Sequence, residues 1–148
     1  MSTYTKLVNH FVFSTKGRHP WLGEDIRTDV LAYIGGIIRN QRCASLIVNG
    51  AEDHVHILAH VRPSLAVSDL MRHVKGSSSE FIHDKFRIRD FTWQEGFFGI
   101  SVRGDEYEHE YQYIENQVEH HRKELFEAEL RRLVIRAGID FQEAYLLG

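Results

Sequence analysis

The stretch Asp53-His54-Val55-His56-Ile57-Leu58-Ala59-His60-Val61 decides the fold, because polar and apolar residues alternate along its first half. Successive side chains of a β-strand point to opposite faces, so this alternation predicts a strand. The apolar side chains Val55, Ile57, Ala59 and Val61 would pack against helices. His54 and His56 would then share the other face, about 7 Å apart along the strand.

The segments around this strand predict an alternation of strands and helices. Apolar residues at helical spacing predict helices over 24–40 and Ser64–Phe86, with Gly76 a point where the second can break. Further strands are predicted over 4–15, 44–49 and 97–103. Asn49-Gly50 is typical of a turn before the histidine strand.

The resulting order is strand, helix, strand, strand, helix, strand, followed by a long helical region from Asp105 to about Gly138, with a break near residue 122. The first six elements match a ferredoxin-like α+β domain, an antiparallel sheet with helices on one face. The helical region adds a C-terminal helix rich in tyrosine.

Composition favours one globular domain over residues 1–148. Hydrophobic residues make up 43% of the chain and charged residues 26%, which are ordinary values for a globular protein. The apolar runs are too short to cross a membrane, and one cysteine excludes an internal disulfide framework. A cytoplasmic protein is the simplest interpretation.

The charge is uneven along the chain. The net charge of −3 counts against a dedicated binder of duplex DNA. Residues 72–89 nevertheless hold five Lys/Arg against two acidic residues, whereas residues 105–129 hold nine acidic residues. The basic stretch fits a phosphate-binding groove and a merely solvated face about equally well.

The histidine pair suggests a metal site. Two imidazoles on one strand face can reach one divalent ion, whereas His60 lies about 13 Å beyond His56 and is not expected to join it. A bare His-x-His pattern more often faces solvent or a partner, so a metal site requires a third ligand.

The helix after Asp105 offers that ligand. At about 100° per residue, one stripe collects Tyr107, Tyr111, Ile114, Val118 and Leu125, which predicts a buried face. Tyr113 and Gln117 lie together a quarter-turn away from this stripe, four residues apart. A tyrosine outside the core stripe has no packing role, and the glutamine places an amide oxygen beside it.

The combination is typical of a tyrosine nucleophile. A phenol, with an ordinary pKa of about 10, attacks poorly unless it is positioned and assisted. A divalent ion held by His54, His56 and the Gln117 oxygen would bind a scissile phosphate and neutralise the negative charge that develops on it during the reaction. Tyr113 would then lie close to that phosphate. As residues of an exposed site, the two histidines are expected to contribute little to stability.

His120 and His121 follow on the same helix. Either can contact a phosphate or assist proton transfer, but surface histidines beside Arg122 and Lys123 are the favoured interpretation.

These residues resemble the single-tyrosine HUH transposases, small enzymes of insertion sequences that move as single-stranded DNA. The similarity covers nearly the whole chain. Asp53 to Leu58 is similar to the family's His-hydrophobic-His motif, and Tyr113-Ile114-Glu115-Asn116-Gln117 to its tyrosine helix. The order of further similar segments adds weight: Phe13-Ser14-Thr15-Lys16 with Arg18 and Pro20, Lys75-Gly76, and Trp93-Gln94-Glu95-Gly96.

The resemblance implies a transposase that cuts single-stranded DNA at hairpin-marked ends, leaving a 5′-phosphotyrosine and a free 3′-hydroxyl. It implies Mg²⁺ or Mn²⁺ as cofactor. It also implies a homodimer in which the tyrosine helix of one subunit can complete the metal site of the other. A related group, associated with repetitive palindromes, shares the motifs.

DNA contacts are assigned less firmly than the metal and the nucleophile. The residues chosen are Arg72, Lys75, Lys85, Arg87, Arg103 and His120. Arg103 departs from relatives, which often have Phe-Ser-Val-Ser where this chain has Ile100-Ser101-Val102-Arg103.

Three other functions remain open from the sequence. The first is a relaxase or replication initiator of the HUH type, which often carries a third histidine where this chain has Gln117. The second is a non-enzymatic nucleic-acid-binding module. The third is a metal hydrolase without a covalent step, in which Tyr113 would be dispensable.

Overall fold

The alternating stretch around the histidines forms β3 (His54–His60), a central strand of a four-stranded sheet. In the computed structural model, which describes residues 2–146, β3 pairs antiparallel with β1 (Val8–Ser14) and β2 (Ala44–Gly50). The fourth strand, β4 (Phe98–Ser101), pairs antiparallel with β1. The order β2-β3-β1-β4 is that of a ferredoxin-like sheet, so the predicted α+β class is confirmed.

The first two helices cover one face of the sheet. Apolar side chains from β1 and β3 pack there against α1 (Glu24–Asn40) and α2 (Val67–Phe86), including Phe11, Phe13, Val55, Ile57, Ile34, Ile38, Leu70 and Val74. The apolar half of the histidine strand therefore contributes to the main core, as the alternation predicts. Helix α2 continues through Gly76, so the break considered at that residue does not occur.

Three shorter helices cover the opposite face, on which the histidines lie. They are α3 (Tyr107–Glu115), α4 (Gln117–Lys123) and α5 (Phe126–Arg136). Helix α5 packs against Val12 and Phe98 through its apolar stripe, which comprises Phe126, Leu130, Leu133 and Val134. Ile114 of α3 packs near Leu58. The sheet therefore has helices on both faces.

The C-terminal helical region breaks at Asn116 and at Glu124–Leu125, whereas the sequence predicts a break near residue 122. The amide of Asn49 on β2 donates hydrogen bonds to the Ile114 and Glu115 carbonyls, at 3.0 and 2.9 Å. A strand side chain thus binds carbonyls that the next helical turn would otherwise use.

The break at Asn116 makes part of the predicted stripe wrong. Val118 is 38% exposed and Leu125 73% exposed, although both were placed on the buried face. Gln117 is instead fully buried. Residues of α3 and α4 therefore do not follow one continuous helical period, and a single helical wheel does not describe which of their side chains are buried.

Two strands are shorter than predicted, because β1 begins only at Val8 and β4 ends at Ser101. The turn follows Gly50 and does not include Asn49 and Gly50, because these two residues still pair with His56 and Val55. A Cβ atom on Gly50 would lie 2.2 Å from the His54 carbonyl oxygen, so only glycine permits this close approach. No helix among residues 2–146 is long and apolar enough to cross a membrane.

Candidate metal and nucleophile site

The two histidines of β3 lie side by side beneath the C-terminal helices. Their ring centroids are 5.1 Å apart, and both side chains are fully buried. Gln117, at the start of α4, brings its Oε1 to 3.0 Å from Nε2 of His54. The structure therefore brings together the three side chains that the sequence proposes as metal ligands.

Glu129 of α5 adds a carboxylate to this group. Its Oε1 lies 3.2 Å from Nε2 of His54 and 3.2 Å from Nε2 of His56. Its Oε2 accepts a hydrogen bond from Nε2 of Gln117 at 3.2 Å. Only 1% of Glu129 is exposed, so the carboxylate is an integral part of the site. Ligand atoms of His54, His56 and Glu129 are close enough together to hold one metal ion.

Tyr113, at the end of α3, reaches the same carboxylate. Its hydroxyl donates a hydrogen bond to Oε2 of Glu129 and accepts one from Arg132 at 2.9 Å. Its ring centroid lies 5.8 Å from that of His56. The predicted nucleophile and the predicted metal ligands thus meet within a single chain, connected through one carboxylate.

Hydrogen bonds behind the histidines fix their orientation. Nδ1 of His54 lies 2.7 Å from Oδ1 of Asp53, and a carboxylate only accepts, so this nitrogen carries hydrogen. Behind His56, Nδ1 lies 2.8 Å from Nε2 of buried His10, whose Nδ1 lies 2.9 Å from Oε2 of Glu110. With the hydrogen of a neutral His10 on the side of the Glu110 carboxylate, which only accepts, His56 Nδ1 donates to His10.

His54 therefore directs Nε2 toward Gln117 and Glu129, and His56 directs Nε2 toward Glu129. Metal-binding histidines in proteins usually donate their other N–H to a carboxylate or another acceptor in this way. The donor set of two imidazoles, an amide oxygen and a carboxylate suits a hard or borderline divalent ion. The residues present therefore fit a divalent metal.

The electrostatics of the cluster follow from burial and from Glu129. Burial lowers the pKa of His54, but hydrogen bonds to Asp53 and Glu129 outweigh it and raise the pKa to about 9. Burial dominates for His56 and lowers its pKa to about 3. Burial raises the pKa of Glu129, yet the two histidines hold that pKa well below its usual range. Without a metal, the proton on His54 balances the buried carboxylate.

The Tyr113 hydroxyl is held in its neutral form. Burial raises its pKa above the ordinary value, and the negative charge of Glu129 raises it further, while Arg132 acts in the opposite direction. A phenol in this environment requires additional positive charge before it can act as a phenolate. Arg132 already places positive charge beside the hydroxyl, and a divalent cation bound at the histidines would supply more.

The two histidines of α4 also belong to the site. Nε2 of His120 lies 2.7 Å from Glu124 and 3.4 Å from Glu129, and its ring centroid is 5.2 Å from that of Tyr113. His121 contacts Glu52 at 3.0 Å and packs beside His54. The interpretation of both as surface histidines is therefore wrong, because the break at Asn116 turns α4 toward the sheet.

The other predicted DNA-contact residues lie outside this cluster. Arg72 and Lys85 are on α2, across the sheet, where they pair with Asp69 and Asp29, and Arg87 ends that helix. Arg103 is exposed and pairs with Asp105.

Lys75 is held in place by backbone carbonyls and an aromatic ring. Its ammonium group donates hydrogen bonds to the Gln94 and Gly96 carbonyls and lies 5.2 Å from the centre of the Phe13 ring. The Gln94 side chain in turn accepts a hydrogen bond from the Ser14 amide at 2.6 Å. Burial lowers the pKa of Lys75 to about 8. Three motif segments that are distant in the sequence thus meet at one corner of the sheet.

Glu129, His10 and Glu110 were not among the residues selected from the sequence. For Glu129 and His10, the local sequence pattern indicates a polar side chain on a buried face. Glu129 lies between Phe126 and Leu130 on the apolar stripe of α5, where a carboxylate is otherwise costly. His10 lies between Val8 and Val12 on one face of β1, where an imidazole interrupts apolar side chains.

The chain is similar to known proteins in sequence and in fold. A family model described as "Transposase IS200 like" matches residues 3–117. The transposases for insertion sequence element IS200 of Salmonella typhimurium strain LT2 and Salmonella typhi are each 29% identical over 122 residues. Those alignments cover 74% of this chain and 76% of each relative.

Two solved structures share the fold. A candidate transposase from Deinococcus radiodurans R1 has a TM-score of 0.66 and 22% identity, over 80% of this chain and 95% of the other. A REP-associated tyrosine transposase bound to a REP hairpin has a TM-score of 0.59 and 18% identity, over 78% and 72%. Since the family model matches more than half of the chain and includes the histidine pair, Tyr113 and Gln117, this protein belongs to the IS200-like transposase family.

Proposed function

We propose that this transposase cuts single-stranded DNA at hairpin-marked ends through a covalent bond to Tyr113, with a divalent metal at His54, His56 and Gln117. One observation carries the proposal: the Tyr113 hydroxyl and both histidines contact the same carboxylate. A scissile phosphate between nucleophile and metal requires such proximity. The solved relative bound to a REP hairpin supports a hairpin substrate.

In the proposed reaction, the Tyr113 oxygen forms a bond to phosphorus and the bond to the 3′-oxygen of the preceding nucleotide breaks. The tyrosine loses its proton to solvent, and the leaving oxygen gains one. A bound Mg²⁺ or Mn²⁺ would polarise the phosphate and neutralise its developing charge. Arg132 donates a hydrogen bond to the tyrosine oxygen and so stabilises negative charge there. Strand transfer is the reverse attack by a 3′-hydroxyl on the phosphotyrosine.

The test is incubation of the wild-type protein with a single-stranded hairpin oligonucleotide labelled at the 3′ end, with Mg²⁺ or Mn²⁺. We expect a labelled protein band on a denaturing gel, because the 5′-phosphate of the downstream fragment stays on the protein. The same sequence annealed to its full complement serves as the control and should give little adduct. Cleavage of the hairpin with no adduct would favour a plain hydrolase.

We further propose a homodimer, as the resemblance implies. Whether subunits share their sites is tested by mixing a Tyr113→Phe protein with a His54→Ala protein. The contacts of Tyr113 within one chain favour a site completed by its own subunit, so we expect little recovery of adduct formation. Recovery in proven heterodimers would instead establish the exchange of tyrosine helices between subunits.

Arg72, Lys75, Lys85, Arg87 and Arg103 remain predicted DNA contacts. Arg72 and Lys85 lie on α2 and Arg87 directly follows it, across the sheet from the histidines, so we propose that they contact the hairpin rather than the scissile phosphate. His120, beside Tyr113, is the predicted contact to the scissile region.

A further inference from the structure

We propose that Glu129 is a fourth protein ligand of the metal and that its second oxygen positions Tyr113. The inference rests on the proposed metal site and adds a residue to it from a helix that lies beyond the segment matched by the family model. Helix α5 would then be a part of the catalytic centre.

The spacing of the donor atoms supports this role. Ligands about 2.1 Å from an ion and at right angles to one another lie about 3 Å apart. Oε1 of Glu129 lies 3.2 Å from Nε2 of each histidine, and Oε1 of Gln117 lies 3.0 Å from Nε2 of His54. These separations match those of adjacent ligands around one small divalent ion.

The hydrogen positions point the same way. With the His10 hydrogen on the Glu110 side, His56 donates through Nδ1 to His10, and Nε2 of a neutral His56 ring then presents a lone pair. The atom opposite that lone pair is Oε1 of Glu129, which is also only an acceptor. Two acceptors facing each other at 3.2 Å in a buried site repel unless a cation or a proton lies between them.

The chemistry of the ligands also calls for a carboxylate. His54, His56 and Gln117 are neutral ligands when they bind a metal. Mg²⁺ and Mn²⁺ prefer charged oxygen ligands, and Glu129 is the carboxylate that contacts both histidines. Only 1% of Glu129 is exposed, and a bound cation would offset the free-energy cost of burying its negative charge.

Helix α5 holds the carboxylate in place. Phe126, one turn before Glu129, stacks on the His54 ring with centroids 4.6 Å apart. Leu130 and Leu133 pack in the cluster that contains Val12 and Phe98 of the sheet. Oε2 of Glu129 remains available to accept the hydrogen bond of Tyr113, which orients the nucleophile toward the metal.

The experiment compares Glu129→Gln with Glu127→Gln. The first change keeps the shape and removes the charge, whereas Glu127 is an exposed residue of the same helix that pairs with Arg131. Binding of Mn²⁺ without DNA is measured by electron paramagnetic resonance, and the fold is checked by urea denaturation. We expect Mn²⁺ to bind at least about tenfold more weakly to Glu129→Gln and with unchanged affinity to Glu127→Gln.

A Glu129→Asp variant provides the test if Glu129→Gln unfolds. It retains the negative charge on a side chain shorter by one methylene, so it should bind Mn²⁺ with part of the wild-type affinity. Unchanged Mn²⁺ binding in a folded Glu129→Gln protein would overturn the inference. If Glu129→Gln also cleaved the hairpin faster than the wild type, Glu129 would instead be a residue that blocks the position of the scissile phosphate. Failure of the wild-type protein to bind Mn²⁺ would overturn the proposed metal site itself, and the inference with it.

Discussion

Replacing Tyr113 with phenylalanine is expected to eliminate the covalent protein–DNA adduct and to reduce hairpin cleavage by about a thousandfold or more, because the attacking oxygen is removed. The hydroxyl also bonds to Glu129 and Arg132, so we expect a loss of about 1–3 kcal/mol in the free energy of unfolding. The adduct is measured on a denaturing gel, and stability by urea denaturation.

Tyr111→Phe is the matched control. Tyr111 lies two residues away on the same helix and packs with Tyr107 in the cluster that contains Val8 and Leu58. Phenylalanine keeps that packing, so cleavage should remain nearly normal. An adduct that persists in Tyr113→Phe and disappears in Tyr111→Phe would identify Tyr111 as the nucleophile.

Changing both His54 and His56 to alanine is expected to reduce cleavage and Mn²⁺ binding below detection. The structure corrects the expectation that the fold would be insensitive, because both side chains are fully buried. Their removal leaves the Glu129 charge buried without the proton of His54, although Tyr113 and Gln117 still donate hydrogen bonds to it, and breaking such a buried pair costs about 3–5 kcal/mol. Cleavage is measured with the hairpin oligonucleotide, and the free energy of unfolding by urea denaturation.

Two further variants separate chemistry from stability in this experiment. Adding Glu129→Gln to the double change removes the unpaired charge and should recover stability without recovering cleavage. His60→Ala, on the same strand, should leave cleavage and Mn²⁺ binding unchanged. Cleavage that survives in the double variant and in excess chelator would rule out the metal assignment.

Local patterns in the sequence predicted the sheet and the shared face of the histidines. The period-two alternation of β3 is a property of adjacent residues, so no distant contact is needed to predict it. The spacing of Tyr113 and Gln117 likewise pointed to one location, and both side chains contact Glu129. The resemblance drawn from these residues is confirmed by the family match over residues 3–117.

The helix breaks and the role of Glu129 depend on contacts between distant parts of the chain. Asn49 binds carbonyls 65 and 66 residues later, and no local propensity at Asn116 indicates that contact. The prediction of a continuous wheel therefore failed for Val118 and Leu125. Glu129 was counted only among the acidic residues of 105–129, because its burial is known only once α5 is placed against the sheet.

The site joins residues that are far apart in the chain, with separations of 46 residues between His10 and His56, 63 between His54 and Gln117, and 73 between His56 and Glu129. Contacts of such range form late in folding, because closing long loops costs entropy before the contacts compensate for it. During synthesis the sheet can form before α5 has left the ribosome. The cluster around Glu129 is therefore complete only once α5 has docked against the sheet.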